Sequence, residues 1–229
     1  MEYGYIDLTY DGVYNRLEEE RIKHRMSQED LSYKLGLSQG HYCKGEKGNI
    51  RFTFGQVKRI FSSELDSLYI FTGKKCKNNY MELFGDAEYE QLLICLEFIS
   101  WYAYVKCKAG NGEWNKICHE TKYISYAHSV NDVTKNLFKS TRLYNELSQS
   151  DMASLIGVDV KKLRLLENNK KLPDSELIYV MYKTFGISPV LFFESRKNLQ
   201  YEIGWLLDNV SEEVRSTLVS LIKLILEYC

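Results

Sequence analysis

The chain has 229 residues, enough for two small domains or for one domain with additions. Apolar residues make up 45% of it and charged residues 27%, which excludes a chain disordered throughout. The formal net charge of −1 argues mildly against a polyanionic partner, but the charge is uneven. Residues 14–60 hold ten Lys/Arg against six Asp/Glu, and residues 135–183 hold nine against six. Two locally basic segments are typical of a protein that contacts a polyanion at two places.

The sequence predicts a cytoplasmic protein without a membrane span. Residues 1–7 have neither a basic start nor an apolar core, so no signal peptide is predicted. The longest apolar run, residues 92–105, is interrupted by Glu97 and Ser100 and is shorter than the ~20 residues that cross a bilayer.

The six cysteines show no CxxC spacing and are predicted to be reduced thiols. Cys107, Cys118 and His119 lie near one another in the sequence, but no fourth metal ligand is evident, so no metal site is predicted. No phosphate-binding glycine loop, nucleophile–histidine pair or paired carboxylates stand out. We therefore predict neither catalysis nor a cofactor.

The chain contains an internal repeat at an offset of 121 residues. Without a gap, seven identities fall at Arg21/Arg142, Ser27/Ser148, Gln28/Gln149, Asp30/Asp151, Gly36/Gly157, Glu46/Glu167 and Ser67/Ser188. These residues recur at positions that control helix ends. The repeat predicts a first module at residues 1–73 and a second module at 136–194, separated by a linker and helical spacer at 74–135.

In both modules, the sequence predicts two consecutive helices joined by a tight turn. Ser27 is expected to cap a helix with Asp30 in its first turn, near the positive end of the helix dipole. Gly36 should end that helix in a left-handed conformation, and Ser38 should cap the next one. The second module repeats the pattern, with Asp159 at the place of Ser38. A helix, a short glycine turn and a second capped helix form a helix-turn-helix signature.

The segments Arg21–Gly73 and Arg142–Glu194 resemble the helix-turn-helix domains of Cro and lambda-type phage repressors, the XRE family. The resemblance rests on Ser27-Gln28, Leu35-Gly-Leu-Ser38 and Glu46-Lys-Gly48, and on Ser148-Gln149, Ile156-Gly-Val158 and Phe185-Gly-Ile-Ser-Pro-Val-Leu-Phe192. It covers about half of the chain. It implies an all-α protein with two five-helix modules and a sequence-specific, repressor-like regulator of transcription that occupies double-stranded DNA.

In that family the second helix of the motif enters the major groove by its first residues. In the first module the resemblance places Ser38, Gln39, Gly40, His41 and Lys44 at the DNA, with Tyr42 facing inward. Gln39 suits adenine and Lys44 suits guanine, whereas His41 is expected at a phosphate or a water. Gln28 matches the family's phosphate-binding glutamine. The alternative is a simple solvated capping residue.

Two further features concern stability. Matching family positions imply buried ion pairs between Arg21 and Glu46 and between Arg142 and Glu167. At Gly45 the first module has glycine where the family has a buried aliphatic residue. We expect Phe52 and Phe54 to fill the space that this glycine leaves.

Between the modules, residues 74–85 are predicted as a linker and residues 87–105 as a helix with one apolar stripe. Residues 113–131 fit a helix or an irregular segment equally well. The region fits a spacer, or else a ligand sensor.

In the second module, the residues at the two positions expected to contact bases are different. Val160 and Leu165 replace Gln39 and Lys44, while Lys161, Lys162 and Arg164 are expected to be exposed. These basic residues and Gln149 suit phosphates, and Arg164 also suits guanine. Alternatively, the module has a packing or dimerisation role, and the chain is an antitoxin-like interaction protein.

The last segment, residues 195–229, is predicted to end in an amphipathic helix that begins after Ser211. Its apolar stripe consists of Val214, Leu218, Leu221, Ile222 and Ile225. We expect this stripe to pack on the second module or to join two chains, and we expect a homodimer, if formed, to use this helix or the central helix.

Overall fold

The computed structural model describes residues 11–110, 112–122, 124, 136–193 and 195–228. Every regular element in these ranges is helical and none is a strand, so the predicted all-α class is confirmed. The predictions for residues 1–10, 111, 123, 125–135, Glu194 and Cys229 lie outside the described residues.

The first 73 residues contribute five described helices. They are α1 (Asp11–Lys23), α2 (Gln28–Leu35), α3 (Gln39–Glu46), α4 (Phe54–Phe61) and α5 (Ser67–Thr72). The second module has α9 (Leu137–Tyr144), α10 (Gln149–Leu155), α11 (Val160–Glu167), α12 (Ser175–Phe185) and a 3₁₀ turn (Pro189–Phe192) in the same order. The elements of the two modules thus follow the same order, with the 3₁₀ turn of the second module at the place of α5.

The remaining helices come from the spacer and the C-terminal segment. The spacer forms α6 (Met81–Phe84), α7 (Tyr89–Lys108), a 3₁₀ turn (Gly112–Trp114) and α8 (Asn115–Thr121). The C-terminal segment forms α13 (Arg196–Asp208) and α14 (Glu212–Tyr228). Residues 115–121, which the sequence left undecided, are therefore helical.

The described residues group into two compact units. One holds both modules (11–73 and 136–193), and the other holds the spacer and the C-terminal segment (74–124 and 195–228). The spacer and the C-terminal segment are predicted from the sequence as separate parts, whereas the structure places them in one unit. The reason is long-range packing, since α7 contacts both α13 and α14.

In the unit of the two modules, the modules contact each other through corresponding elements. The backbone N–H of Ser175 donates to the carbonyl of Phe52 (2.9 Å), and the N–H of Phe52 donates to Ser175 Oγ (3.0 Å). Arg51 forms an ion pair with Glu176. The ring of Phe193 lies 4.5 Å from that of Phe61, and α5 contacts the 3₁₀ turn at Pro189–Phe192. Because α5 and this turn are equivalent in the repeat, the contact pairs the same part of each module.

The other unit is built around α7. Leu92, Leu96 and Ile99 are fully buried on one side of this helix, which also packs against α8. The C-terminal helix α14 buries Val214, Leu218 and Ile222 and contacts α6, α7 and α13. Packing on α7 was not among the arrangements considered from the sequence.

Residues 74–85 were predicted as a linker, but Lys74 at their start is buried. Its side chain is only 7% exposed, and its Nζ lies 3.0 Å from Glu202 and 3.3 Å from Glu120. The ammonium also lies 4.3 Å from the centre of the Trp205 ring. A buried cation with two carboxylates and an aromatic face anchors this stretch to its unit.

Local side-chain contacts explain why α2 and α3 begin where they do. Ser27 Oγ accepts from the N–H of Asp30, and the Asp30 carboxylate accepts from the N–H of Ser27 (2.8 Å). Ser38 then caps α3 by accepting from the N–H of His41. These contacts satisfy amides that have no partner inside the helix. Ser148 and Asp159 cap α10 and α11 in the same way.

The backbone also repeats in its unusual conformations. Gly36 and Gly157 have φ of 65° and 69°, which glycine adopts without steric cost. Arg25 and Glu146, also 121 residues apart, share φ of 55° and 54° although neither is glycine. Two different side chains in the same rare conformation indicate that the turn geometry, rather than the residue type, is common to both modules.

Phe52 fills the space beside Gly45. A Cβ added to Gly45 would lie 2.6 Å from Cζ of Phe52, whose side chain is 1% exposed. In the second module, the residue equivalent to Gly45 is Leu166, and its own side chain is buried. Phe54, which was expected to share this role, instead packs against Phe193 at 4.9 Å.

Two glycines of α3 should respond oppositely to alanine. Gly45→Ala should lower the free energy of unfolding, because the buried Phe52 ring blocks the new methyl group. Gly40→Ala should raise it by about 0.5–1 kcal/mol, since a Cβ there meets nothing within 4 Å and alanine favours a helix. Urea unfolding of both variants tests this. A Gly45→Ala variant as stable as Gly40→Ala would contradict the packing described for Phe52.

Candidate nucleic-acid interface

The residues predicted at the DNA in the first module lie on one exposed part of α3. Ser38, Gln39, Gly40, His41 and Lys44 are all exposed, whereas Tyr42 is fully buried. Gln39 also borders a groove with Tyr33 and Leu37 of the preceding helix and turn. The exposed side of α3 therefore offers an amide, an imidazole and an ammonium group to a partner. These groups suit acceptors on base edges and phosphates.

Gln28 is placed differently from the phosphate-binding role expected for it. Its side chain is half-buried, and its Nε2 donates to Glu46 Oε2 at 2.6 Å. It is not simply a solvated capping residue, because it belongs to a network below α3. Its contact to a phosphate stays a prediction.

Glu46 is the centre of that network. Arg21 Nε donates to one of its oxygens at 2.7 Å and the Tyr42 hydroxyl to the same oxygen at 2.6 Å. Burial alone raises the pKa of the Glu46 carboxyl, but hydrogen bonds from Arg21, Tyr42 and Gln28 outweigh this effect and hold that pKa below its ordinary value. The carboxylate stays ionised at neutral pH and joins α1 to the end of α3.

The second module has the corresponding ion pair. Arg142 Nε lies 2.5 Å from Glu167 Oε1, and Gln149 Nε2 donates to Glu167 Oε2 at 2.8 Å. Leu163 occupies the position of Tyr42, so one donor is missing here.

An additional contact holds Arg164 on the outer surface of α11. Arg164 is exposed, and its Nε donates to Gln149 Oε1 at 2.9 Å. The repeat gives no signal for this contact, because Cys43 stands at the equivalent position of the first module. Arg164 is therefore positioned by a neighbouring helix rather than extending into solvent alone.

The three basic residues of α11 differ in exposure. Lys161 is exposed as expected, but Lys162 is half-buried, with its Nζ 3.8 Å from Asp174. The prediction that all three are exposed is thus wrong for Lys162, whose ammonium is drawn toward the start of α12. Val160 and Leu165 are half-buried and offer no hydrogen-bonding group.

Exposed carboxylates also lie close to the candidate interface. Glu29 and Asp30 are both exposed in the first turn of α2. Hydrogen bonds from the Ser27 hydroxyl and backbone lower the pKa of Asp30, so this carboxylate is charged at neutral pH. The first turn of α2 therefore carries negative charge next to Gln28, which counts against the phosphate contact expected for that residue. The exposed surface of α3 is the better place for a polyanion.

Cys107 and Cys118 approach each other, and burial together with Cys118 raises the pKa of the Cys107 thiol. No cluster of three or more metal-binding side chains occurs in the part of the chain that the structure describes. In the same ranges, no helix combines the length and the apolar character of a membrane span.

Comparison with known proteins adds no further assignment. No protein-family description matches the chain, and searches of curated proteins and of solved structures give no match either.

Proposed function

We propose that this protein is a sequence-specific DNA-binding regulator of transcription, with one repressor-like helix-turn-helix motif in each module. The observation that carries the proposal is the arrangement of α2 and α3. A capped helix, a left-handed turn at Gly36 and a second capped helix leave Gln39 and Lys44 exposed at one surface. This is the arrangement with which such motifs present the second helix to a major groove.

The packing between the modules supports binding by one chain at two places. Equivalent elements of the two modules meet, and α3 and α11 both lie in the unit that these contacts hold together. Symmetric DNA-binding dimers use two such helices at half-sites about one helical turn apart. Here the two helices carry different residues, so we propose that α3 reads the bases of one half-site while α11 contacts mainly the phosphates of the other.

The second candidate function is an antitoxin-like interaction protein that does not read DNA with its second module. The half-buried Val160 and Leu165 and the ion pair of Lys162 favour it, because they leave α11 few groups for base contacts. A protein partner does not require the counterion release that accompanies phosphate binding.

Salt dependence separates the two functions. Fluorescence anisotropy with labelled duplex DNA should show that the logarithm of the binding constant falls linearly with the logarithm of the salt concentration. The reason is that protein groups that bind phosphates release counterions from the DNA. The variant Lys58→Ala, changed on the exposed surface of α4, is a control for nonspecific charge effects. Failure to bind duplex DNA even at low salt would reject DNA binding and favour the interaction protein.

The second module is expected to contribute affinity rather than discrimination. Replacing Lys161, Lys162 and Arg164 with glutamine should weaken binding about equally on all sequences and flatten the salt dependence, since phosphate contacts carry no sequence information. Binding titrations on a selected and a scrambled duplex measure both effects. A changed base preference would make the second module a reader, and unchanged affinity would remove it from the DNA.

A further inference from the structure

The long helix α7 has a second apolar surface opposite its buried side. Its exposed residues Glu90, Ile94, Trp101, Tyr104, Val105 and Lys108 fall within a sector of about 100° at 100° per residue, and we call them the α7 outer face. Leu92, Leu96 and Ile99, on the buried side, already supply the apolar contacts of the unit.

The exposure of this face is unusual for its composition. Trp101 is 58% exposed and Tyr104 is 54% exposed, with Ile94 and Val105 above 40%. Aromatic side chains of this size on a helix surface are typical of the centre of protein interfaces rather than of free surfaces. The face therefore has the composition of an interface.

The order of the charged and apolar residues fits a second copy of the same helix in the antiparallel direction. Glu90 lies at one end of the face and Lys108 at the other. Residue 99 is midway between positions 90 and 108, and it is also midway between positions 94 and 104. One two-fold axis at that level therefore brings Glu90 opposite Lys108 of the second copy and Ile94 opposite Tyr104. It also brings Glu97, a half-buried residue in the same sector, opposite Trp101.

Other occupants fit less well. A parallel copy would place Glu90 against Glu90 and Lys108 against Lys108, and like charges repel. A nucleic acid would meet the carboxylate of Glu90, and a membrane surface would meet charges of both signs. We infer that the α7 outer face associates with the same face of a second chain, in antiparallel orientation about residue 99. This inference does not depend on the proposed function.

The size of the face sets the expected affinity. A helix of 20 residues is about 30 Å long, so the area that two such faces bury is at the low end for specific complexes. We therefore expect a concentration-dependent dimer with a dissociation constant on the order of micromolar.

Charge reversal in the full-length protein tests the antiparallel order. Sedimentation velocity should show that Glu90→Lys and Lys108→Glu each weaken self-association by about tenfold or more, because each puts two like-charged pairs into the dimer. The double variant should regain the affinity of the parent, and so should an equimolar mixture of the single variants. Glu227→Lys, an exposed charge change on α14, is the matched control and should leave association unchanged.

Trp101→Ala provides a second measurement that does not depend on charge. It should also weaken self-association, while the far-ultraviolet circular dichroism remains that of the parent because Trp101 is exposed. A parent protein that is monomeric at all concentrations would overturn the inference. Loss of association in Trp101→Ala with no effect of either charge reversal would overturn the antiparallel register.

Discussion

Replacing both Gln39 and Lys44 with alanine should weaken binding to the preferred DNA sequence by about 30- to 10⁴-fold. Each lost base contact costs about 1–3 kcal/mol, and both side chains lie on the exposed surface of α3. The free energy of unfolding should stay that of the parent, because neither side chain is part of the core. Anisotropy titrations on the preferred and on scrambled duplexes measure the loss.

Two further variants distinguish a loss of base recognition from a loss of folding. Gln39→Ala alone should change the base that is preferred at one position, whereas Lys58→Ala on α4 should change little. If the double variant keeps the parent's affinity for the preferred site, α3 is not the reading helix and the role proposed for the first module fails.

Arg142→Ala should destabilise the second module by about 3–5 kcal/mol, far more than Lys161→Ala. The first change leaves the carboxylate of Glu167, which is 4% exposed, without its guanidinium partner. Lys161 is exposed on α11, and surface changes of this kind alter stability by about 0.5 kcal/mol or less. Urea unfolding followed by circular dichroism gives both values.

A second substitution identifies the cause of the loss. Glu167→Gln in the Arg142→Ala background removes the uncompensated charge, so the double variant should recover part of the stability. Equal unfolding midpoints for Arg142→Ala and Lys161→Ala would contradict the energetic importance of the pair. An equally unstable double variant would show that packing, rather than charge, is responsible.

The parts of the fold that could be predicted depend on local signals. Ser27, Asp30 and Gly36 act within a few residues of one another, so the bounds of α2 follow from the sequence. The partners of Arg21 and Arg142 lie 25 residues away, and the resemblance to the repressor family indicated them. Local capping signals and the family resemblance, found in both copies of the repeat, therefore account for most of what was predicted.

The features that could not be predicted depend on distant partners. Lys74 looks like part of a linker, and its partner Glu202 is 128 residues away. Lys162 looks exposed on its own helix, and the start of α12 determines its position. Arg164 contacts Gln149, which the repeat does not indicate because Cys43 stands at the equivalent position. In each case tertiary packing decides the environment of a charged residue.

Selection of bound sequences from a random pool of duplex DNA tests the central proposal most directly. We expect enrichment of a site with two different half-sites about one helical turn apart, one specified by Gln39 and Lys44 and the other more tolerant of substitution. Repeating the selection with Gln39→Ala should change the preferred base in the first half-site only. A pool that stays random after repeated rounds would contradict sequence-specific DNA binding by this protein.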